Sequence, residues 1–394
     1  MSVMPETYVE GFHDVSQVKL MPYRSLGKTG LSVSALSFGA SSLGSVFRST
    51  DESESLEVVK IALQSGINYV DTAPWYGHGK SESVLGKILP TIPRASYYIA
   101  TKVGRYQADV NNMFDFSAER TLQSVDESLQ RLGLEYVDGI QIHDMEFAPS
   151  LDIILSETLP ALQKVKDAGK AKFIGITGYP LANFNIVAAL FRTCFCAEKC
   201  EQNVLAGVQV DLFFWSRTVL EKSHVHIDTI LTYCRASMND NSLRDWLPYF
   251  HNHGVGVVNA SPISMGLLSN RGPPSWNPAS LIIKKACAEA ASYCNDNGVD
   301  ISRLGLKFTI DQEDIPTTLV STASCDNVRR NIDSVYTPLS DKEQQVLEEV
   351  MERYMKPLNN ANWEGVEVAN YWRLLAEQQG KTTLVECQEK SELS

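Results

Sequence analysis

The feature that most restricts how this chain can fold is a repeated alternation between short apolar runs and amphipathic segments. From about residue 33 onward, apolar runs are followed by turn signals and then by segments with helical periodicity. The eight runs that we predict to be strands are 32–39, 68–73, 96–104, 136–144, 171–178, 226–234, 255–262 and 317–322. Short apolar strands that each lead into a helix are typical of buried parallel sheets, so the pattern predicts an α/β protein with a closed (β/α)8 TIM barrel.

The segments between these runs have recognisable helix ends. Helices are predicted at 51–66, 80–89, 117–133, 154–169, from 184 onward, 241–254, 280–298, 324–334 and 340–355. Asp51 or Ser53 can cap the first of them, and Gly133 ends the third. An open doubly wound sheet is the alternative architecture, but no G-x-G-x-x-G turn follows any predicted strand, as the dinucleotide-binding form of such sheets requires.

Some segments fall outside the repeating units. We expect residues 1–21 to be an N-terminal tail, residues 22–355 the barrel, and residues 356–394 a C-terminal helical extension with a disordered end. The stretch 194–225 makes the link between the fifth and sixth strands unusually long, and we interpret it as an atypical insertion at the surface. Its cysteines follow a C-x-C-x-x-x-C spacing without the second ligand pair of a zinc site, so no metal site is expected.

Charge and hydropathy exclude several classes of partner. The net charge is −12, and no strong basic run is present. Nucleic acids and anionic membranes bind clustered Lys and Arg, so neither is expected as a partner. The N-terminus does not have the pattern of a secretory signal, and no apolar run is long enough to span a bilayer. The eight cysteines are mostly scattered, which favours reduced thiols in a cytoplasmic protein, and we expect a monomer or weak homo-oligomer.

Polar side chains stand where three consecutive predicted strands end. The second strand ends on Asp71, the third on Lys102 and the fourth on His143, and Tyr76 lies in the loop after the second. In (β/α)8 barrels the chemistry takes place on the face where strands end, because the βα loops meet there. Adjacent parallel strands in register would bring these side chains together.

These residue types complement one another chemically. A lysine cation favours the phenolate of a nearby tyrosine and lowers its pKa from about 10, while Asp71 would keep Lys102 charged. The set therefore predicts a phenol that exchanges a proton with a substrate oxygen. Taken singly, each residue has a simpler explanation, such as a turn-forming aspartate or a lid aromatic, but four complementary groups at successive strand ends favour a catalytic site. None of them supplies hydride, so a redox reaction would need a cofactor.

Long motifs around these residues resemble those of the aldo-keto reductases, most closely their L-galactose dehydrogenase-like branch. The resemblance covers roughly residues 22–340 and includes YRSLGKTGLSVSALSFGASSLG, DTAPWYGHGKSESVLGKIL, TKVGRY and SLQRLGLEYVDGIQIHDME, in the family's order. It implies a β-hairpin that closes the bottom of the barrel. It also implies that Tyr76 is the general acid/base, that Lys102 and Asp71 tune it, and that His143 positions the substrate carbonyl.

The same resemblance implies a nicotinamide dinucleotide, NAD or NADP, across the barrel opening. The family positions that would contact it are Gly39, Ala40, Thr177, Thr232, Ser261, Ile263, Met265, Gly266, Leu267, Ser321, Ala323, Asn327, Arg330 and Asn331. Thr177-Gly178 replaces the usual Ser-Asn, and Thr232 stands where we align the usual Gln. Because a 2′-phosphate favours Arg or Lys partners, and Arg330 is the single basic candidate among these positions, we lean slightly towards NAD.

The resemblance leads to an enzyme that oxidises a sugar at its anomeric carbon with NAD(P), or reduces an aldehyde in the reverse direction. The alternatives are a general NADPH-dependent aldehyde or ketone reductase and a non-catalytic, cofactor-binding regulatory barrel. In each case the partner would be a small-molecule carbonyl or sugar. His78, in the same loop as Tyr76, is a possible substrate contact without a catalytic role.

Overall fold

Eight parallel strands close into a barrel in the computed structural model, which describes residues 4–179 and 214–380. An antiparallel hairpin of two further strands precedes them. The hairpin strands are Tyr23–Ser25 (β1) and Ser32–Ser34 (β2). The barrel strands are Leu36–Gly39 (β3), Tyr69–Asp71 (β4), Tyr98–Val103 (β5), Val137–Ile142 (β6), Ala171–Thr177 (β7), Thr229–Tyr233 (β8), Gly256–Ala260 (β9) and Thr317–Ser321 (β10).

The strand order confirms the predicted (β/α)8 barrel. Each barrel strand pairs in parallel with the next along the chain, and β10 closes the ring by pairing with β3. The prediction of one continuous strand over 32–39 was wrong, because the chain leaves the hairpin at Ser34 before it enters the barrel. Asn68 holds this transition, since its Oδ1 accepts a hydrogen bond from the Ser34 backbone N–H at 2.8 Å.

The hairpin closes the bottom of the barrel. Leu26 and Val33 of the hairpin pack in one buried cluster with interior side chains of the barrel strands, among them Tyr69 and Val258. Gly256 and Gly27 permit this packing, because a side chain at Gly27 would lie 2.3 Å from the Gly256 nitrogen. The predicted hairpin cap is therefore confirmed.

Helices surround the barrel, largely where periodicity predicts them. They are Val15–Leu20 (α1), Glu52–Gln64 (α2), Lys80–Ile88 (α3), Ala118–Leu132 (α4), Leu151–Ile153 (α5), Leu159–Asp167 (α6), Phe214–Lys222 (α7), Leu247–His253 (α8), Leu281–Asp296 (α9), Ile301–Ile310 (α10), Cys325–Tyr336 (α11), Asp341–Val350 (α12) and Val366–Gln378 (α13). Asp51 caps α2, as predicted. Gly133, in the left-handed conformation that glycine favours, ends α4.

Some helices differ from expectation. A π-helical turn at Ile154–Thr158 interrupts the predicted helix 154–169, and α1 and α10 were not predicted. The predicted C-terminal helical extension forms α13, which packs on the loops after β5 and β6. Residues 180–213, which include most of the predicted insertion and the helix expected from 184, lie outside the described residues. Within the described ranges we find no helix that combines the length and apolar character needed to cross a bilayer.

We predict that Asn68→Ala lowers the free energy of unfolding by about 3 kcal/mol, because it leaves several buried polar groups without partners. The Asn68 amide donates to Thr7 Oγ1 at 3.0 Å and to the Ser32 carbonyl at 2.8 Å, and it accepts from the Ser34 N–H. Urea unfolding at pH 7 would measure the loss.

Asn295→Ala is the matched control, since Asn295 is exposed on α9. We expect a change within about 0.5 kcal/mol there. Equal stability of the two variants would contradict the role of Asn68 in holding the hairpin.

Candidate active site

A buried ion pair joins the ends of β4 and β5. Lys102 Nζ donates to Asp71 Oδ1, and the two residues are 1% and 2% exposed. The same ammonium group donates to the Thr72 carbonyl at 2.9 Å and to the Tyr76 hydroxyl at 3.3 Å. Burial alone lowers the pKa of Lys102, but Asp71 and Tyr76 together outweigh burial and the pKa is raised. Lys102 therefore carries its charge at neutral pH.

Gln141 completes this pair and was missed in the sequence. It lies directly opposite Lys102 in the β5–β6 register, and its Nε2 donates to Asp71 Oδ2 at 2.7 Å. Side chains alternate along a strand, so Gly139, Gln141 and His143 share the inner face of β6. That alternation was a signal for Gln141, because a polar side chain two residues before His143 must also point into the barrel.

Tyr76 lies above the ion pair because its loop is pressed against the loop after β3. A side chain at Gly44 would lie 2.3 Å from the Tyr76 carbonyl oxygen, and one at Gly77, where φ is +66°, would lie 2.2 Å from the Gly44 carbonyl oxygen. Only glycine permits this approach of two backbones. Close packing of the loops places the phenol over the barrel mouth, by which we mean the edge formed by the carboxyl ends of the barrel strands.

The pKa of Tyr76 is shifted in the opposite direction from the shift that the sequence predicts. Burial raises the pKa of the phenol and Asp71 adds to the increase, while Lys102 lowers it. The net shift is upward, so the expectation that Lys102 would bring the pKa below its usual value was wrong. Tyr76 is therefore a protonated phenol at neutral pH, with a cation placed to stabilise its phenolate.

His143 faces Tyr76 across the mouth. The two ring centroids are 5.8 Å apart and the rings are nearly perpendicular. The pKa of His143 is lowered to about 3, mainly by burial, with smaller contributions from Lys102 and Arg105, while Asp144 opposes the shift. The imidazole is therefore neutral at working pH and can hydrogen-bond a substrate oxygen. His78, by contrast, is exposed, and its Nδ1 lies 3.0 Å from the Tyr106 carbonyl oxygen.

An ion pair beyond His143 was also missed. Arg105 Nη1 donates to Asp144 Oδ2 at 2.6 Å, and the guanidinium lies 4.1 Å from the centre of the Trp75 ring. Asp144 adopts a left-handed backbone conformation with φ 49°, which is uncommon outside glycine and is often found at functional sites. These residues extend the polar wall of the mouth away from Tyr76.

The predicted cofactor positions divide into several groups. Gly39 and Ser321 are register partners at the ends of β3 and β10, and Ala40 follows Gly39. Thr177 Oγ1 accepts a hydrogen bond from the Asp144 N–H at 3.1 Å. Thr232 points to the helical layer, since its neighbour Leu231 packs in the barrel interior. Tyr233 instead faces the mouth, and this placement corrects the position that we aligned with the family's Gln.

The loop after β9 is unusually constrained. Four of its first six residues have positive φ values: Ser261, Ser264, Met265 and Gly266. Ser261 Oγ accepts from the Met265 N–H at 2.9 Å. Ile263 is half-buried beside this turn, whereas Leu267 is 1% exposed and belongs to the core.

The remaining predicted positions lie at the start of α11. Ala323 is buried in the core cluster just before the helix. Asn327 and Asn331 are half-buried on its first turns, and the exposed Arg330 donates to Asn327 Oδ1 at 2.5 Å. In the described part of the chain, no three His, Cys, Asp or Glu side chains gather as metal ligands would.

Comparisons with known proteins agree with this geometry. The family model described as "Aldo/keto reductase family" matches residues 35–352. L-galactose dehydrogenase of Arabidopsis thaliana is 43% identical over 86% of this chain and 96% of its own length. D-arabinose 1-dehydrogenase of Saccharomyces cerevisiae is 30% identical over 84% of this chain and 93% of its own. The holo form of an aldo-keto reductase from Bacillus halodurans superposes with a TM-score of 0.60 at 26% identity, covering 84% of this chain and 96% of that one.

The lowered pKa of His143 predicts a pH-dependent stability. In the unfolded chain His143 would bind a proton near pH 6.5, whereas in the folded protein it does so only near pH 3. Its contribution to stability is therefore complete above pH 6.5 and is lost as the pH falls towards 3. Between pH 7 and pH 5 the wild type should lose about 2 kcal/mol more free energy of unfolding than His143→Asn. Urea unfolding at both pH values checks this.

His253→Asn serves as the control, because His253 is exposed on α8. Its stability should follow the wild-type pH dependence. If the stability of His143→Asn also followed the wild-type pH dependence, the imidazole of His143 would not be held neutral by burial.

Proposed function

This chain belongs to the aldo/keto reductase family, and we propose that it oxidises the anomeric carbon of an aldose to a lactone with a nicotinamide dinucleotide as hydride acceptor. The observation that carries the proposal is the position of the Tyr76 hydroxyl, 3.3 Å from a charged lysine that is itself buried against Asp71. A phenol and a fixed cation in a water-poor site are suited to move a proton to or from a substrate oxygen.

The roles of this chain's residues follow from the geometry. In oxidation, the Tyr76 phenolate takes the proton of the anomeric hydroxyl, while the C1–H bond breaks and its electron pair leaves as hydride. Lys102 stabilises the phenolate, and Asp71 with Gln141 holds Lys102 in place. Neutral His143 orients the same substrate oxygen without competing for its proton. In the reverse direction the protonated Tyr76 donates to the carbonyl oxygen.

The sugar preference is supported by two relatives whose names state their substrates, L-galactose dehydrogenase and D-arabinose 1-dehydrogenase. Both align over more than four fifths of this chain. The residues of the proposed acid/base set lie within the aligned family region, 35–352. An aldose is therefore the substrate class that we assign.

The residues at the mouth suit a nicotinamide dinucleotide. Buried polar atoms there that have no partner among the described residues include Gln141 Oε1 and His143 Nδ1. Thr177 and Tyr233 would flank a nicotinamide. When bound, such a cofactor supplies hydride acceptance.

NAD is favoured over NADP by the charge at the start of α11. Glu54 Oε1 accepts a hydrogen bond from the Cys325 N–H at 2.9 Å, so a carboxylate already occupies this helix N-terminus. Arg330, the basic residue predicted to contact the cofactor here, donates a hydrogen bond to Asn327. A further phosphate on the ribose would meet the Glu54 carboxylate, which costs binding energy through like-charge repulsion.

We predict that Tyr76→Phe reduces kcat for aldose oxidation by about 100-fold or more, because the base is removed while the ring is kept. In the wild type, oxidation should become faster as the pH rises above neutrality, since the raised pKa of Tyr76 keeps the phenolate scarce at pH 7. Cofactor absorbance with a panel of aldoses and aldehydes, and with NAD or NADP, measures both effects.

Tyr106→Phe is a suitable control, since the Tyr106 hydroxyl accepts a bond from the Gly104 N–H rather than contacting Lys102. Unchanged activity in Tyr76→Phe would exclude the mechanism. Turnover of simple aldehydes without turnover of any aldose would favour a general carbonyl reductase. Tight cofactor binding without turnover of any substrate would favour a regulatory barrel.

We further predict that Glu54→Gln lowers the ratio of the NADP dissociation constant to the NAD dissociation constant by about two- to fivefold. The substitution removes the charge but keeps an acceptor for the Cys325 N–H. Dissociation constants for NAD and NADP, from quenching of tryptophan fluorescence, would show the change. Glu349→Gln, an equal change of charge at an exposed site on α12, should leave the ratio unchanged. An unaltered ratio in Glu54→Gln would refute the role of Glu54.

A further inference from the structure

The C-terminal helix α13 lies against the loops that carry the candidate site. Tyr371 packs edge-to-face on Phe114 and Phe147, with ring centroids 5.1 and 5.6 Å away. Phe114 follows β5, which supplies Lys102, and Phe147 follows β6, which leads into His143. The helix therefore belongs to the wall of the mouth.

A second contact fixes the start of α13. The fully buried Arg235, after β8, pairs with Asp240 and with Glu364, which precedes the helix. Tyr179, after β7, stacks on Trp363 at 5.0 Å with the rings 11° from parallel. The chain just before α13 is thus held against the loops after β7 and β8, and the first turn of the helix is fixed at the mouth.

This first turn presents Glu367. The side chain is half-buried and makes no hydrogen bond or ion pair with any described residue. Burial raises the pKa of Glu367 to about 7, Arg105 opposes the shift and Asp144 adds to it. Val368, the next residue, packs in one buried cluster with Phe147, which follows Asp144 by three residues. The first turn of α13 therefore lies beside the loop that carries the Arg105–Asp144 pair.

A second carboxyl group lies in the same wall, and burial raises the pKa of this Glu146 side chain well above its usual value. Glu146 is 2% exposed, and its Oε1 accepts from the Tyr179 N–H at 3.0 Å. Its Oε2 is buried without a partner among the described residues. This oxygen faces the space left by the absent side chain of Gly178, where a Cβ would lie only 2.8 Å away. A buried polar atom without a partner, at the rim of a catalytic mouth, indicates that a ligand group bonds to it.

Donors and acceptors alternate along this wall. The buried Nε of Arg105 has no partner in the described part of the chain, and its Nη1 donates to Asp144. Glu146 and Glu367 offer oxygens. Sugar hydroxyls both donate and accept hydrogen bonds, so they match such a surface. A carboxylate would instead meet Asp144 and Glu367, with a single guanidinium that Asp144 already neutralises.

We propose that Glu367, with Arg105 and Glu146, recognises the hydroxyl groups remote from the anomeric carbon and restricts the substrate to uncharged aldoses. This inference rests on the proposed aldose oxidation. Glu367 is a specificity-determining residue, supplied by the C-terminal helix rather than by the barrel. Discrimination arises from repulsion of the wrong substrate as well as attraction of the right one.

The test compares a neutral aldose with the uronic acid of the same configuration, which carries a carboxylate at C6. Wild type and Glu367→Gln would be assayed for kcat/KM with both sugars and NAD at about pH 8.5, because Glu367, with a pKa of about 7, carries its charge there. We expect the wild type to prefer the neutral sugar at least tenfold, and Glu367→Gln to reduce this preference about tenfold. Glu377→Gln, on the exposed far end of α13, makes the same change of charge and should keep the wild-type preference.

The outcomes separate the two proposals. If the wild type oxidises no aldose, the proposed function fails, and the inference fails with it. If the wild type oxidises aldoses but Glu367→Gln keeps the wild-type ratio, only the inference is overturned. A loss of activity that is equal for both sugars would also overturn it. Unfolding curves of both variants confirm that each is folded.

Discussion

The buried ion pair between Lys102 and Asp71 is the interaction on which the candidate site depends. Removing two charges from water costs several kcal/mol each, and their mutual attraction compensates only when the remaining hydrogen-bonding groups are also satisfied. Here Thr72 and Gln141 supply the additional partners, one from the end of β4 and one from β6. The pair therefore requires three neighbouring strands in register, and closure of the barrel maintains that register.

Burial favours the neutral forms of both Lys102 and Tyr76, but the two side chains end in different charge states. It would neutralise Lys102, but Asp71 keeps the lysine charged. It also raises the pKa of Tyr76 beyond what Lys102 can offset. A site that is dry enough to strengthen electrostatic interactions thus keeps its phenol protonated at neutral pH. Proton donation to a carbonyl needs no prior ionisation, whereas proton removal from a hydroxyl needs the phenolate, which becomes more abundant as the pH rises.

Much of the fold, and the strand ends that form the candidate site, could be predicted because each depends on local pattern. The alternation of apolar runs and helices predicted the barrel, and strand ends predicted Asp71, Lys102 and His143. The errors arise where contacts between distant segments decide the outcome. The split of 32–39 depends on Asn68, the outward orientation of Thr232 depends on where β8 begins, and the upward pKa shift of Tyr76 depends on three-dimensional burial. Gln141 could have been predicted from the two-residue alternation of side chains along β6.

The C-terminal helix shows why the substrate side of the site could not be predicted. Glu367 is more than two hundred residues from Asp144 in the sequence, and nothing in its neighbourhood marks it as functional. Its position results from the Arg235 ion pairs and the Tyr179–Trp363 stack before the helix, and from the aromatic contacts of Tyr371 along it. Because these contacts involve loops after β5, β6, β7 and β8, the helix can form the outer wall only after the barrel is closed. The groups proposed to transfer the proton therefore belong to the strands and their loops, whereas the proposed choice of substrate depends on a segment outside the repeating βα units.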